Sequence, residues 1–152
     1  MKILLVDDQL PKYFAIDGFL KTHFPEFTLE WVKSFSTARV NIRSGKFDLI
    51  LLDMSFEVHA TVIEEANFAG LAGLHILQFM RRARINTPVI VCTAHVRYSD
   101  PDFQTLEGVE ELEKYINDVF GPICKGCVYL GAEEKIWAKK LKRLITNAAQ
   151  IK

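Results

Sequence analysis

Four polar residues stand directly behind apolar runs. Asp7 and Asp8 follow the run 3–6, Asp53 follows 49–52, and Thr93 follows 88–92. Three ionised carboxylates brought close together repel one another, so either a carboxyl pKa rises or a cation neutralises the group. Mg²⁺ suits such a set, because it is a hard ion that takes a few carboxylates and keeps several waters. A cation there screens the charge of an incoming phosphoryl group and holds one of its oxygens in line with an attacking carboxylate. A carboxylate nucleophile yields an aspartyl phosphate. The hydroxyl of Thr93 can hydrogen-bond a phosphoryl oxygen.

These residues meet only if the surrounding elements bring them to one place. The runs 3–6, 28–32, 47–52, 88–92 and 127–130 are short and largely apolar, and read as strands. Helices are predicted over 11–23, from a cap at Ser36 or Thr37 to near Gly45, and over 71–84, where Leu74, Leu77 and Met80 fall at helical spacing. Two more are predicted over 102–120, with a charged face of Glu107, Glu110, Glu111, Glu113 and Lys114, and over 133–148, with Ile136, Leu141, Leu144, Ile145 and Ala148 as its core stripe. Strands without polar alternation, each followed by a helix, imply an α/β fold: a doubly wound five-stranded parallel sheet covered on both faces. In the strand order 2-1-3-4-5, strands 1 and 3 are neighbours at the point where the order reverses. Ligands of open α/β sheets bind there, outside the carboxyl ends of the strands. Asp7, Asp8 and Asp53 then converge.

Composition narrows the classes. The chain has 152 residues, 49% of them apolar, and 19 Lys+Arg balance 19 Asp+Glu. That fits one globular domain over 1–152, leaving no room for an attached output domain. A neutral chain lacks the basic surplus of a general nucleic-acid binder. No apolar run approaches the roughly 20 residues of a spanning helix, so no membrane partner is expected. Three cysteines, Cys92, Cys124 and Cys127, give no disulfide framework, and a cytoplasmic location is the natural expectation.

ILLVDD at 3–8, LILLD at 49–53, TPVIVCTA at 87–94 and VYL at 128–130 together resemble the receiver domain of bacterial two-component response regulators. The resemblance spans essentially the full chain and implies the flavodoxin-like (βα)₅ fold. It also implies a phosphorelay role, as a signalling protein and not an enzyme. Asp53 would be the phosphoacceptor, Asp8 a direct Mg²⁺ ligand and Asp7 a ligand through water, with the backbone carbonyl of Ser55 completing the shell. Thr93 would be the switch hydroxyl and Tyr129 the aromatic that moves inward with it. The implied partners are a histidine kinase or phosphotransfer protein and a downstream protein not named by the sequence, with room for a homodimer. The family's lysine after the fifth strand falls at Ala132 or Glu133, depending on the register, and neither is Lys. Lys125 and Lys135 are the nearby replacements.

Two connections are longer than the resemblance implies. One is an extended loop over about 55–72, beside Asp53. The other is an extended helix and loop region over about 99–125. A long segment beside a site is often a lid or a partner surface.

Two readings compete with the phosphoacceptor. A degenerate receiver would keep the fold and bind partners without phosphorylation. A redox or nucleotide-binding α/β protein would use Cys124 and Cys127, a CxxC pair, or the glycine spacing of Gly121 and Gly126. The residues after Gly126 are Cys127 and Val128, where a P-loop needs Lys and Ser/Thr, and no GxGxxG follows the first strand.

Overall fold

The run Ile3-Leu4-Leu5-Val6 is wholly buried, and so is Leu49-Ile50-Leu51-Leu52. A strand hidden on both faces gains nothing from polar alternation, and these two form the centre of the sheet. In the computed structural model, the described residues are 1–56, 71–95, 97, 98, 103 and 105–150. The strands and helices run β1 (Lys2–Val6), α1 (Leu10–His23), β2 (Thr28–Val32), α2 (Phe35–Arg43), β3 (Leu49–Leu52), α3 (Ala72–Ala83), β4 (Val89–Thr93), β5 (Arg97–Tyr98), β6 (Leu106–Glu107), α4 (Val109–Phe120), β7 (Cys124–Tyr129) and α5 (Glu134–Gln150). The main sheet has the order β2-β1-β3-β4-β7 with parallel pairing throughout. This is the 2-1-3-4-5 order read from the sequence, with β7 as its fifth strand.

Alternate side chains point to opposite faces of each strand. Leu4, Val6, Ile50, Leu52 and Val91 therefore pack with Ile42, Leu74, Leu77, Leu112 and Ile116 from α2, α3 and α4. Ile3, Leu5, Leu49, Leu51 and Ile90 pack with Ile16, Phe19, Leu141 and Ile145 from α1 and α5. The helices lie on the two faces as a doubly wound fold requires.

Three boundaries differ from the sequence reading. Ser34, not Ser36 or Thr37, caps α2. The Thr37 N–H donates to Ser34 Oγ at 3.1 Å and the Ser34 N–H donates back to Thr37 Oγ1 at 3.3 Å, a reciprocal capping box. The helix predicted over 102–120 begins only at Val109. Gly108 precedes it at φ +89°, a conformation that other residues rarely adopt, and Leu106–Glu107 pairs antiparallel with Arg97–Tyr98. The added length after β4 therefore includes a two-stranded ribbon, and Glu107 belongs to β6 and not to the helix face. The last strand starts at Cys124, ahead of the 127 expected, because a bulge skips Lys125: Val89 pairs with Cys124 but Ile90 pairs with Gly126. The bulge turns both Cys124 and Cys127 toward the same core layer. Most of the extended loop read over about 55–72 lies outside the described residues.

Candidate functional site

Register sets the site. Ile3 to Val6 of β1 pair with Leu49 to Leu52 of β3, so both strands stop at the same level and an aspartate follows each. The Asp53 N–H donates to the Val6 carbonyl at 2.9 Å, and the Asp7 N–H donates to the Val32 carbonyl of β2 at 3.1 Å. Asp7 and Asp53 are each 1% exposed, and Asp8 is half-buried. One carboxylate oxygen from each of Asp7, Asp8 and Asp53 lies within 4.8 Å of the others. The convergence expected at the switch point is present.

The backbone around the trio is tightly fitted. The Gly73 N–H at the start of α3 donates to the Met54 carbonyl at 2.9 Å. A Cβ on Gly73 would sit 2.6 Å from the Asp53 carbonyl oxygen and 2.9 Å from Met54 Cα. Only glycine lets α3 approach this closely. On the other side, Gln9 N–H donates to Asp7 Oδ1 at 2.8 Å. The Trp31 indole N–H on β2 donates to the Asp7 carbonyl at 2.7 Å.

Among the described residues, one ammonium enters the cluster. Lys12 Nζ, from the first turn of α1, lies 2.7 Å from Asp7 Oδ2 and 2.8 Å from Asp53 Oδ1. Its side chain is only 12% exposed. Burial raises the Asp7 carboxyl to about 6, with the Asp53 charge adding to the rise and Lys12 opposing it. Burial also raises Asp53, against the lowering influence of Lys12 and of a hydrogen bond from the Ser55 backbone. Burial works to lower the Lys12 pKa, but the Asp53 and Asp7 charges outweigh it and hold the ammonium in its charged form. Sequence reasoning did not find Lys12. The resemblance points instead to the end of the fifth strand, where Lys125 donates to the Pro122 carbonyl at 2.8 Å and Lys135 is exposed on α5. The available signal was a single cation in the first helical turn after the Asp-Asp pair, where the chain has just left the sheet edge.

Among the described residues, three carboxylates against one ammonium leave the cluster formally anionic, and their oxygens converge closely enough to share an ion. The residues therefore fit a hard divalent cation, with Lys12 now standing in part of that position. Ser55, whose carbonyl the resemblance assigns to the metal shell, is buried beside Asp53.

Thr93, at the end of β4, is fully buried and belongs to a second polar cluster. Its hydroxyl partner is Tyr98 of the ribbon, also fully buried. Tyr98 has one proton, which it donates to the His95 carbonyl at 2.6 Å. The Thr93 hydroxyl therefore donates to the Tyr98 oxygen, and the His95 N–H returns to Thr93 Oγ1 at 3.3 Å. Burial raises the Tyr98 phenol pKa, which keeps that proton in place. Tyr129, the expected switch aromatic, pairs with Thr93 through the backbone register and lays its ring over Gly131. Cys124 and Cys127 are free, buried and inside β7. Neither sits at a helix start, where a helix N-terminus would activate a thiol.

No protein-family model matches the sequence, and no curated protein does. Solved structures do match it. The signal receiver domain of a LuxO repressor protein from Vibrio parahaemolyticus aligns with a TM-score of 0.64 at 17% identity, covering 98% of this chain and 92% of that one. The receiver domain of the Francisella response regulator 1452 aligns at 0.61 and 20% identity, covering 99% and 98%. The fold is that of a response-regulator receiver domain. The chemotaxis response regulator CheY4 of Vibrio cholerae shares it at a TM-score of 0.60 and 17% identity, over 94% of this chain and 97% of that one. Among the described residues, no helix of this receiver fold is long and apolar enough to cross a membrane.

Proposed function

We propose that this chain is a phosphorelay receiver that takes a phosphoryl group on Asp53 from a phosphohistidine donor, a histidine kinase or phosphotransfer protein. The supporting observation is the meeting of Asp7, Asp8 and Asp53 at the carboxyl edge of a receiver-type sheet. An Asp53 carboxylate oxygen attacks phosphorus, the donor's P–N bond breaks, and its electron pair leaves with the imidazole nitrogen. Asp7, Asp8, Asp53 and the Ser55 carbonyl would hold Mg²⁺. When bound, the ion would screen the charge of the incoming phosphoryl oxygens. Asp53 is oriented by the Ser55 backbone, and Gly73 fixes the turn that carries it. The charge gained at Asp53 biases the neighbouring surface, and the output is a protein contact, not a catalytic turnover.

A second reading has its own observation. Lys12 already neutralises Asp53 in part, which favours a receiver that binds partners without being phosphorylated. Incubation with Mg²⁺ and acetyl phosphate separates the two. A phosphoryl adduct seen by mass spectrometry on the wild type and lost in Asp53→Asn supports phosphoacceptance. No adduct with any small donor or phosphohistidine protein supports the second reading.

A further inference from the structure

We propose that Lys12 is a tethered counter-ion that competes with a divalent cation for Asp7 and Asp53, so that the site exchanges a lysine-held state for a cation-loaded one. The idea deepens the reading above by naming the regulation of the same site, and rests on it for the identity of the pocket.

Geometry carries the argument. Lys12 Nζ is within 2.8 Å of an oxygen on each of the two most buried carboxylates of the trio. Those residues also have to supply oxygens to any ion held there. Two cations within ion-pair distance of the same buried oxygens repel strongly, because little water screens them. Asp53 Oδ1 is buried and has no well-directed hydrogen bond, so its ion pair with Lys12 is the contact that compensates it. Removing that ammonium leaves the oxygen requiring another positive partner. A lysine suits an exchange of this kind, since its ammonium is a point charge on a flexible four-carbon stem with three rotatable donors. The stem is anchored in α1, so the displaced charge stays near the pocket.

The resting cluster also shows why a tethered charge belongs here. The residues just past the end of β7, Ala132 and Glu133, carry no positive charge, and the nearby Lys125 is bonded to the Pro122 carbonyl.

Two measurements test the competition without any phosphodonor. Calorimetric titration with Mg²⁺ alone should give an affinity about tenfold higher or more for Lys12→Met than for wild type. Acetylation of wild-type lysines by a small amine-directed reagent, read peptide by peptide, should find Lys12 slow to react. Saturating Mg²⁺ should speed it several-fold while leaving Lys125 unchanged. An unchanged affinity in Lys12→Met, an unchanged Lys12 labelling rate at saturation, or no Mg²⁺ binding by either protein overturns the proposal. If Lys12→Met does not fold, the wild-type labelling decides alone. Mg²⁺ that frees Lys12 without any acetyl phosphate adduct keeps this inference and removes phosphoacceptance. An adduct on Asp53 with Lys12 indifferent to Mg²⁺ does the reverse.

Discussion

The acidic pocket and the Thr93–Tyr98–His95 ring are both polar clusters at the carboxyl edge of one sheet, yet they are closed in opposite ways. In the ring every donor meets an acceptor, no charge is involved, and the groups lock each other's orientation. In the pocket, among the described residues, three carboxylates meet one ammonium, and burial together with carboxylate repulsion raises both Asp7 and Asp53 in spite of it. A satisfied network resists change, whereas an undercompensated one gains from any added positive partner. The difference is one of compensation: the pocket stands to gain from an added positive partner, whereas the ring has no open valence to fill.

Breaking the ring at its largest member should have the greatest effect. Tyr98→Ala removes a fully buried ring and leaves a cavity, and should cost about 4 kcal/mol in urea-melt stability. Opening the pocket comes next. Lys12→Met strips the ammonium from two buried carboxylates and should cost about 3 kcal/mol without added metal. Melts with and without Mg²⁺ then sharpen the comparison: the ion should recover much of the loss in Lys12→Met, and should stabilise Tyr98→Ala by no more than it stabilises the wild type. Gly73→Ala should cost about 2 kcal/mol by driving a methyl into the turn behind Asp53, and should slow acetyl phosphate labelling at that residue. The smallest effect is expected from Tyr98→Phe, which keeps the ring's volume but frees the Thr93 hydroxyl. A loss of about 1 kcal/mol should accompany faster hydroxyl exchange at Thr93 by NMR. If Tyr98→Phe instead matched Lys12→Met in cost and in response to Mg²⁺, the two clusters would be one network and the contrast would fall.

Much of this was legible in the residues. The apolar runs that end in Asp7-Asp8, Asp53 and Thr93 placed the sheet and its working edge, because a doubly buried strand must break sharply where the polar chemistry starts. The clustering of the three aspartates followed from topology alone. Lys12 did not, because the reach of a long side chain depends on how its helix leaves the strand, which no periodicity reports. Tyr98 was hidden for another reason. Its ribbon is two residues per strand, and the segment after it carries enough Glu and Leu to read as helix until Gly108 is seen to break it. The bulge at Lys125 was invisible for a similar cause, since one skipped residue leaves no mark on an apolar run.

The indole of Trp31 has a consequence of its own. It bonds to the Asp7 carbonyl at 2.7 Å and stacks on Tyr13, with ring centroids 4.4 Å apart, one residue along the chain from Lys12. The other tryptophan, Trp137, is buried against Phe19 in the core layer that Trp31 borders from its edge. The molecule thus carries one fluorophore bonded to the acidic pocket and a second one buried in the core beside it. Changes of charge at Asp7 should be readable as light, without any label.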